Sequence, residues 1–355
     1  MPAGRLAFLY PGRLETPTGG YVYDRELLAA LAATGTQVTA ATLGEGYPAP
    51  SPATLEAGAA LLSGLADGEA VMIDGLAFGV MDAIAAPQAR RLRLIALVHH
   101  PLAHESGLPP ARAAELAASE RRALALARHV VTTSPATAAA VTAEFGVPSA
   151  KVSVLEPGLV LPAAPVARVR RPGEPFCLLS VGSLVPRKDH PTLLAALAQI
   201  DDPAVTLDIA GSGEFDPAHA ASVRATIERL GLSQRVRLHG ALGRAALDAL
   251  YAQADLFVLT TLYEGYGMAF VEAMAHGLPV VATGAGAVRD TVPAAAGILC
   301  EAGDAASVGA AIRRLAEDAA LRQSLARAAR AHAQGLPGWP EQARRLAALI
   351  AEIGR

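Results

Sequence analysis

A chain of 355 residues exceeds one typical core and suits two α/β domains. Apolar residues make up 52%, enough for a core in each half, and a net charge of −3 leaves no basic field for nucleic acid or an anionic bilayer. Two cysteines far apart in apolar runs, Cys177 and Cys300, exclude a disulfide framework and a zinc site and read as buried core thiols of a reducing compartment.

The first apolar run, Leu6 to Tyr10, is closed at once by Pro11-Gly12, which makes it a strand and not the core of an export signal. No stretch reaches the roughly eighteen apolar residues of a membrane span. These features predict a cytoplasmic protein without an integral membrane segment; contact with a membrane surface stays open. A helix over 21–33 and a strand over 37–42 come next, then strands at 70–74, 92–99 and 129–133 and helices at 112–127 and 135–145. Strand–helix alternation of this kind predicts a doubly wound parallel sheet with ligands at the carboxyl ends of its strands.

Residues 161–175 carry four prolines and no usable periodicity, the composition of a linker. Alternation then restarts: strands at 176–181, 206–210, 236–239, 256–260 and 279–282, with helices from about 191 and at 217–230, 244–253 and 268–276. Two Rossmann-like domains joined by one linker predict a central cleft between them.

Four segments carry chemistry. In Thr260 to Pro279 a strand ends in a loop holding Glu264, Gly265, Tyr266 and Gly267, and a helix starts at Met268 with Glu272 about one turn in. Glycines there admit a ligand to backbone amides, the helix start offers N–H donors, and the two carboxylates accept hydrogen bonds from sugar hydroxyls. In Ser180 to Asp189 a strand runs through Gly182 into the pair Arg187-Lys188, a forked grip and a point charge for one diphosphate. Only two of the thirty basic residues are lysines, Lys151 and Lys188, so an ammonium at 188 points to a geometric need. Gly19-Gly20 after the first strand opens a backbone approach, with an ordinary flexible turn as the alternative. His99-His100 ends a first-half strand; adjacent side chains diverge there, so one imidazole at most reaches a site. There is no Asp-x-Asp, no zinc spacing, no Walker motif and no clear Gly-x-Gly-x-x-Gly.

With these motifs the chain resembles the retaining glycosyltransferases of family 4, most strongly from Phe176 to Asp304. The most specific element is Glu-x7-Glu, matched by Glu264 and Glu272; Arg187-Lys188 after SVGSL and Gly19-Gly20 also match, and Trp339 looks like the start of the family's closing helix. The resemblance implies the two-domain GT-B fold: residues 1–163 as acceptor-side domain, 164–175 as linker, 176–335 as nucleotide-sugar domain and 336–355 crossing back onto the first. It implies that Glu264 contacts the donor sugar with the amides of Gly265 to Gly267, in a donor loop that includes Tyr266 and Met268. Glu272 would hold the ribose, Arg187 and Lys188 the diphosphate, Gly19 and Gly20 the donor phosphates and His99 the reacting sugar, with Gly182 also among the donor-binding residues. His100 and Glu105 are candidates for the acceptor wall, with a plain surface loop as the alternative.

The family's usual Pro-Ser reads Thr260-Thr261 here, its Asn-Gly-Val-Asp reads Glu156-Pro157-Gly158-Leu159, and its Gly-Gly-x-x-Glu reads Gly286-Ala287-Val288-Arg289-Asp290. The expectation is a metal-independent, retaining hexosyltransferase without a cofactor, using a UDP- or GDP-sugar as co-substrate and an acceptor the sequence does not name. The alternatives are a nucleotide-sugar epimerase of the same fold and a non-catalytic nucleotide-sugar-binding protein.

Overall fold

The computed structural model describes residues 5–162, 171 and 173–354, which form two compact units, 1–158 with 337–355 and 159–336. Most of the predicted 164–175 linker lies outside the described residues. No helix among the described residues is long and apolar enough to cross a membrane.

The first unit runs β1 Arg5–Tyr10, α1 Gly19–Ala33, β2 Gln37–Thr42, α2 Pro52–Gly64, β3 Ala70–Asp74, α3 Gly75–Phe78, α4 Asp82–Ala85, β4 Arg93–Val98, α5 Pro110–Leu126, β5 His129–Thr132, α6 Pro135–Phe145 and β6 Val152–Val154. The strands pair in parallel in the order β2-β1-β3-β4-β5-β6. All five residues of β3 are buried, as expected where helices cover both faces of a sheet and the strand reads as one apolar run. The chain order reverses between β1 and β3, which makes their carboxyl ends the switch point where such sheets take ligands. The C-terminal helix Trp339–Ile353 belongs to this unit: Trp339 packs edge-on against Tyr23 at 5.4 Å, and Gly158 lies so close to the Trp339 backbone that no side chain fits.

The second unit runs β7 Phe176–Val181, α7 His190–Ala198, β8 Val205–Ala210, α8 Pro217–Arg229, β9 Val236–Gly240, α9 Arg244–Gln253, β10 Leu256–Glu264, α10 Met268–Ala275, β11 Val280–Gly286, α11 Val288–Thr291, β12 Gly297–Leu299, α12 Ala305–Glu317 and α13 Ala319–Gln334. Its parallel order is β12-β11-β10-β7-β8-β9, so the switch point lies between β7 and β10. Strand alternation sends Leu178, Leu256 and Val258 into one core and Leu179, Phe257 and Leu259 into the other, one on each face.

The predicted doubly wound α/β architecture is therefore present in both units. Several expectations need correction. Strand β10 does not stop at Thr260: after a register shift Tyr263 and Glu264 pair with Ala285 and Gly286, because a side chain at 286 would strike the Glu264 carbonyl and glycine does not. Gly19 and Gly20 are the first two residues of α1, not part of a preceding loop. Cys177 and Cys300 are free but half-buried: the Cys177 thiol meets Pro175 and Thr206 at the start of β7, and Cys300 lies just beyond the end of β12. Helices α2, α12 and α13 were not anticipated; α2 in particular is almost all small or apolar and offers little contrast between faces.

Candidate active site

The switch point of the second unit gathers the Glu-x7-Glu and Arg-Lys segments, with Lys188 and Glu264 76 residues apart in the chain. Beyond β7 the backbone of Gly182 passes so close to Gly211 that a side chain at 211 has no room. The Lys188 stem lies over Gly182, where a Cβ would stand 3.0 Å from Cε. Its ammonium donates to Glu264 Oε1 at 2.6 Å. Arg187 donates through Nη1 to the Tyr263 carbonyl at 2.8 Å and stands 3.3 Å from Glu264 Oε2.

Thr260 and Thr261 hold this basic turn in place. Their hydroxyls donate to the carbonyls of Asp189 at 2.9 Å and Arg187 at 3.0 Å, so the departure from Pro-Ser supplies two struts beneath the cations. Asp189 adopts φ 44°, a left-handed conformation, where the turn passes into α7. Burial alone would raise the Glu264 carboxyl; Lys188 and then Arg187 outweigh it and bring it down to about 2. With Glu264 ionised the trio carries a net charge of +1, so the expected double-cation grip is half neutralised from within.

Gly267, at φ 95°, caps α10, and a Cβ there would meet the Phe270 ring at 2.6 Å. Glycine at 267 is thus obligatory on both counts, which leaves the amides at the start of α10 without a shielding side chain. Tyr266 is buried and accepts through its carbonyl from Thr291. Glu272 lies one turn into α10, but its partners are different from those of Glu264. Tyr251 donates to Oε2 at 3.1 Å and Arg244 to Oε1 at 3.4 Å. Burial raises its carboxyl, with Arg244 and Tyr251 opposing. Tyr251 in turn stacks on His276 at 4.8 Å, and His276 stands 3.3 Å from Asp248. Neither Tyr251 nor Arg244 belongs to a motif; only the fold brings α9 against α10.

In the first unit, Gly20 at the start of α1 faces His99: a Cβ at 20 would lie 3.5 Å from the ring. His99 follows the end of β4, and its carbonyl accepts from Thr133 at 3.0 Å. Nε2 is turned inward, 3.1 Å from Asp74 and 3.3 Å from Asp24. Among the described residues these three form the one group of metal-capable side chains within 4.8 Å of one another. Asp74 closes a wholly apolar strand and also caps α3 through Leu76 N–H at 2.7 Å; a carboxylate ending such a run was a legible signal that was missed. Burial pushes the Asp24 carboxyl up to about 7, whereas the two carboxylates overcome burial at His99 and carry it up to about 10.

Both histidines lie just beyond β4, outside the expected strand, and meet different partners: His100 stands 3.4 Å from Glu105, pairing the two acceptor candidates with each other. The loop beyond is anchored by Leu102 N–H donating to buried Glu120 at 2.9 Å.

Two family models match consecutive parts of the chain, Glycosyltransferase Family 4 over residues 18–161 and Glycosyl transferases group 1 over residues 166–332. The chain belongs to the group 1, family 4 glycosyltransferases. The chain is 29% identical over 283 residues to a D-inositol 3-phosphate glycosyltransferase of Streptosporangium roseum, covering 75% of the chain and 64% of that protein. A homologue of the same description from Salinispora tropica is 34% identical over 211 residues, covering 52% and 42%. A glycogen synthase of Mycobacterium tuberculosis is 34% identical over 199 residues, covering 54% and 46%. The matches thus span about half the length of these relatives. Among solved structures, the sucrose-phosphate synthase of Thermosynechococcus elongatus superposes with TM-score 0.82 at 23% identity over 99% of both chains. Anabaena HepE, solved with UDP and glucose, gives 0.74 at 22% over 97% and 99%. Both share the GT-B fold.

Proposed function

We propose that this glycosyltransferase moves a sugar, most readily a hexose, from a UDP- or GDP-sugar to an acceptor hydroxyl with retention of configuration and without a metal ion. The observation that carries the reading is the trio Lys188, Arg187 and Glu264 at the β7/β10 switch point, beside the open start of α10. Two fixed cations and a helix start meet the charge that builds on a departing diphosphate. The anomeric carbon becomes oxocarbenium-like as the bond to the diphosphate oxygen breaks. The acceptor oxygen then bonds to the same face, and its proton passes to the leaving oxygen. Glu264 accepts from the sugar's hydroxyls, which relieve part of its load on the cations, and Glu272 accepts from the ribose. HepE structures containing UDP and UDP-glucose support a UDP-sugar as the first donor to try.

The test is a thermal-shift screen against UDP-, GDP- and ADP-sugars with EDTA present. A ligand-dependent rise in Tm, abolished in Glu272→Ala, is expected for one nucleotide. Proton NMR of the product made in EDTA should then show the donor's anomeric configuration. No shift with any sugar nucleotide from folded protein would sink the reading, and an inverted product or a metal requirement would overturn the corresponding part. Donor consumption without an acceptor would favour the epimerase.

A further inference from the structure

We infer that Asp24 and Asp74 are positioning residues that hold His99 as an imidazolium, so that His99 is not a base. The inference deepens the proposed function, since it bears on which group can take the acceptor's proton. It begins from Nε2, turned to two carboxylates from separate elements, Asp24 on α1 at 3.3 Å and Asp74 at the end of β3 at 3.1 Å. Asp24 is fully buried, and neither its oxygens nor His99 Nε2 makes a hydrogen bond, so the two contacts are charge pairs. A buried carboxylate with no cation beside it is strongly unfavourable, and the imidazolium charge is the one placed beside both carboxylates.

The surroundings leave His99 as the cation of the cluster. Tyr21 and Tyr23, also on α1, have hydroxyls pushed up by burial and by these carboxylates, Tyr21 to about 12, and stay neutral. Tyr23 presents its ring edge-on to the imidazole at 5.2 Å, and its hydroxyl donates to the Leu155 carbonyl. Arg345 is the cation that acts on Tyr23, and Thr133 reaches the His99 carbonyl without touching the ring. The upward shift of His99 agrees with this arrangement. A ring with both nitrogens protonated cannot accept the acceptor's proton; that proton must leave by another route, and the departing diphosphate oxygen is the one the retaining chemistry provides.

The experiment is nitrogen-15 NMR of the imidazoles in the full chain, with His99 assigned by the signal lost in His99→Gln. In wild type both ring nitrogens should remain protonated from about pH 6 to about pH 8, across the range where an ordinary histidine titrates. In Asp24→Asn/Asp74→Asn the ring should become neutral at or below the ordinary histidine range. Both changes are isosteric, and Asn at 74 can still cap α3. If the double variant does not fold, Asp74→Asn alone should lower the titration midpoint measurably. A wild-type His99 that titrates near the ordinary range overturns the inference. So does a stoichiometric divalent metal in the purified protein that is lost in the variant. The readout needs no turnover, so it stands or falls apart from the transferase assignment.

Discussion

Replacing Lys188 by methionine removes the ammonium and keeps a stem that can lie over Gly182. Glu264, its side chain 8% exposed, would retain Arg187 at 3.3 Å. Breaking a buried ion pair from one side costs about 3–5 kcal/mol. A second gauge agrees: lowering the Glu264 carboxyl from 4.5 to about 2 corresponds to about 3 kcal/mol at roughly 1.4 kcal/mol per pH unit. The sign follows from a folded value below the unfolded one. This stabilisation is complete above pH 4.5 and is lost as pH falls toward 2. Lys188→Met should therefore weaken the second unit by about 3 kcal/mol near neutrality, and by progressively less as the pH drops below 4.5. The chain's single tryptophan, Trp339, belongs to the first unit, so its fluorescence follows that unit while far-UV circular dichroism follows both. In urea the variant should show an early dichroism transition that the tryptophan does not share, and adding Glu264→Gln should restore much of the loss. A Lys188→Met transition within about 0.5 kcal/mol of wild type, the range of a surface change, would refute the coupling. A gap unchanged by acid would do the same.

Gly182→Ala should place a methyl 3.0 Å from Lys188 Cε and push the ammonium off Glu264. UDP affinity measured by calorimetry should fall about tenfold or more, a loss typical of one charged hydrogen bond; unchanged affinity would mean the stem is not fixed there. Gly267→Ala combines a left-handed φ of 95° with a clash at Phe270. It should destabilise the second unit by about 1–3 kcal/mol, visible in dichroism and not in Trp339 fluorescence. Tyr251→Phe removes the 3.1 Å donor from Glu272, a carboxylate already raised by burial. UDP binding should weaken about tenfold at neutral pH and weaken further as the solution is acidified, because Glu272 then protonates more readily. A pH-independent loss would show that Tyr251 acts through packing alone.

The sequence by itself determined the alternation, the doubly wound class and the residue types at the chemistry. Alternation is legible because buried parallel strands are unbroken apolar runs such as Ala70 to Ile73, and capped helices separate them. The Glu264–Glu272 string and Arg187-Lys188 were legible because glycines, cations and carboxylates cluster just after strands, where a parallel sheet presents its ligand side. The strand order was not legible. Only the fold makes β7 and β10 neighbours, bringing Lys188 to Glu264 across 76 residues, and no local pattern encodes which parallel strand pairs with which. The same holds for His99, whose meaning rests on Asp24 and Asp74 from two other elements, and for Glu272, whose oxygens are held from α9. Sequence periodicity reports which face of an element is buried; it carries no information about the distant side chain that the other face will meet. Charge pairing depends on distances of a few ångström between residues far apart in the chain, and the tertiary structure alone decides those.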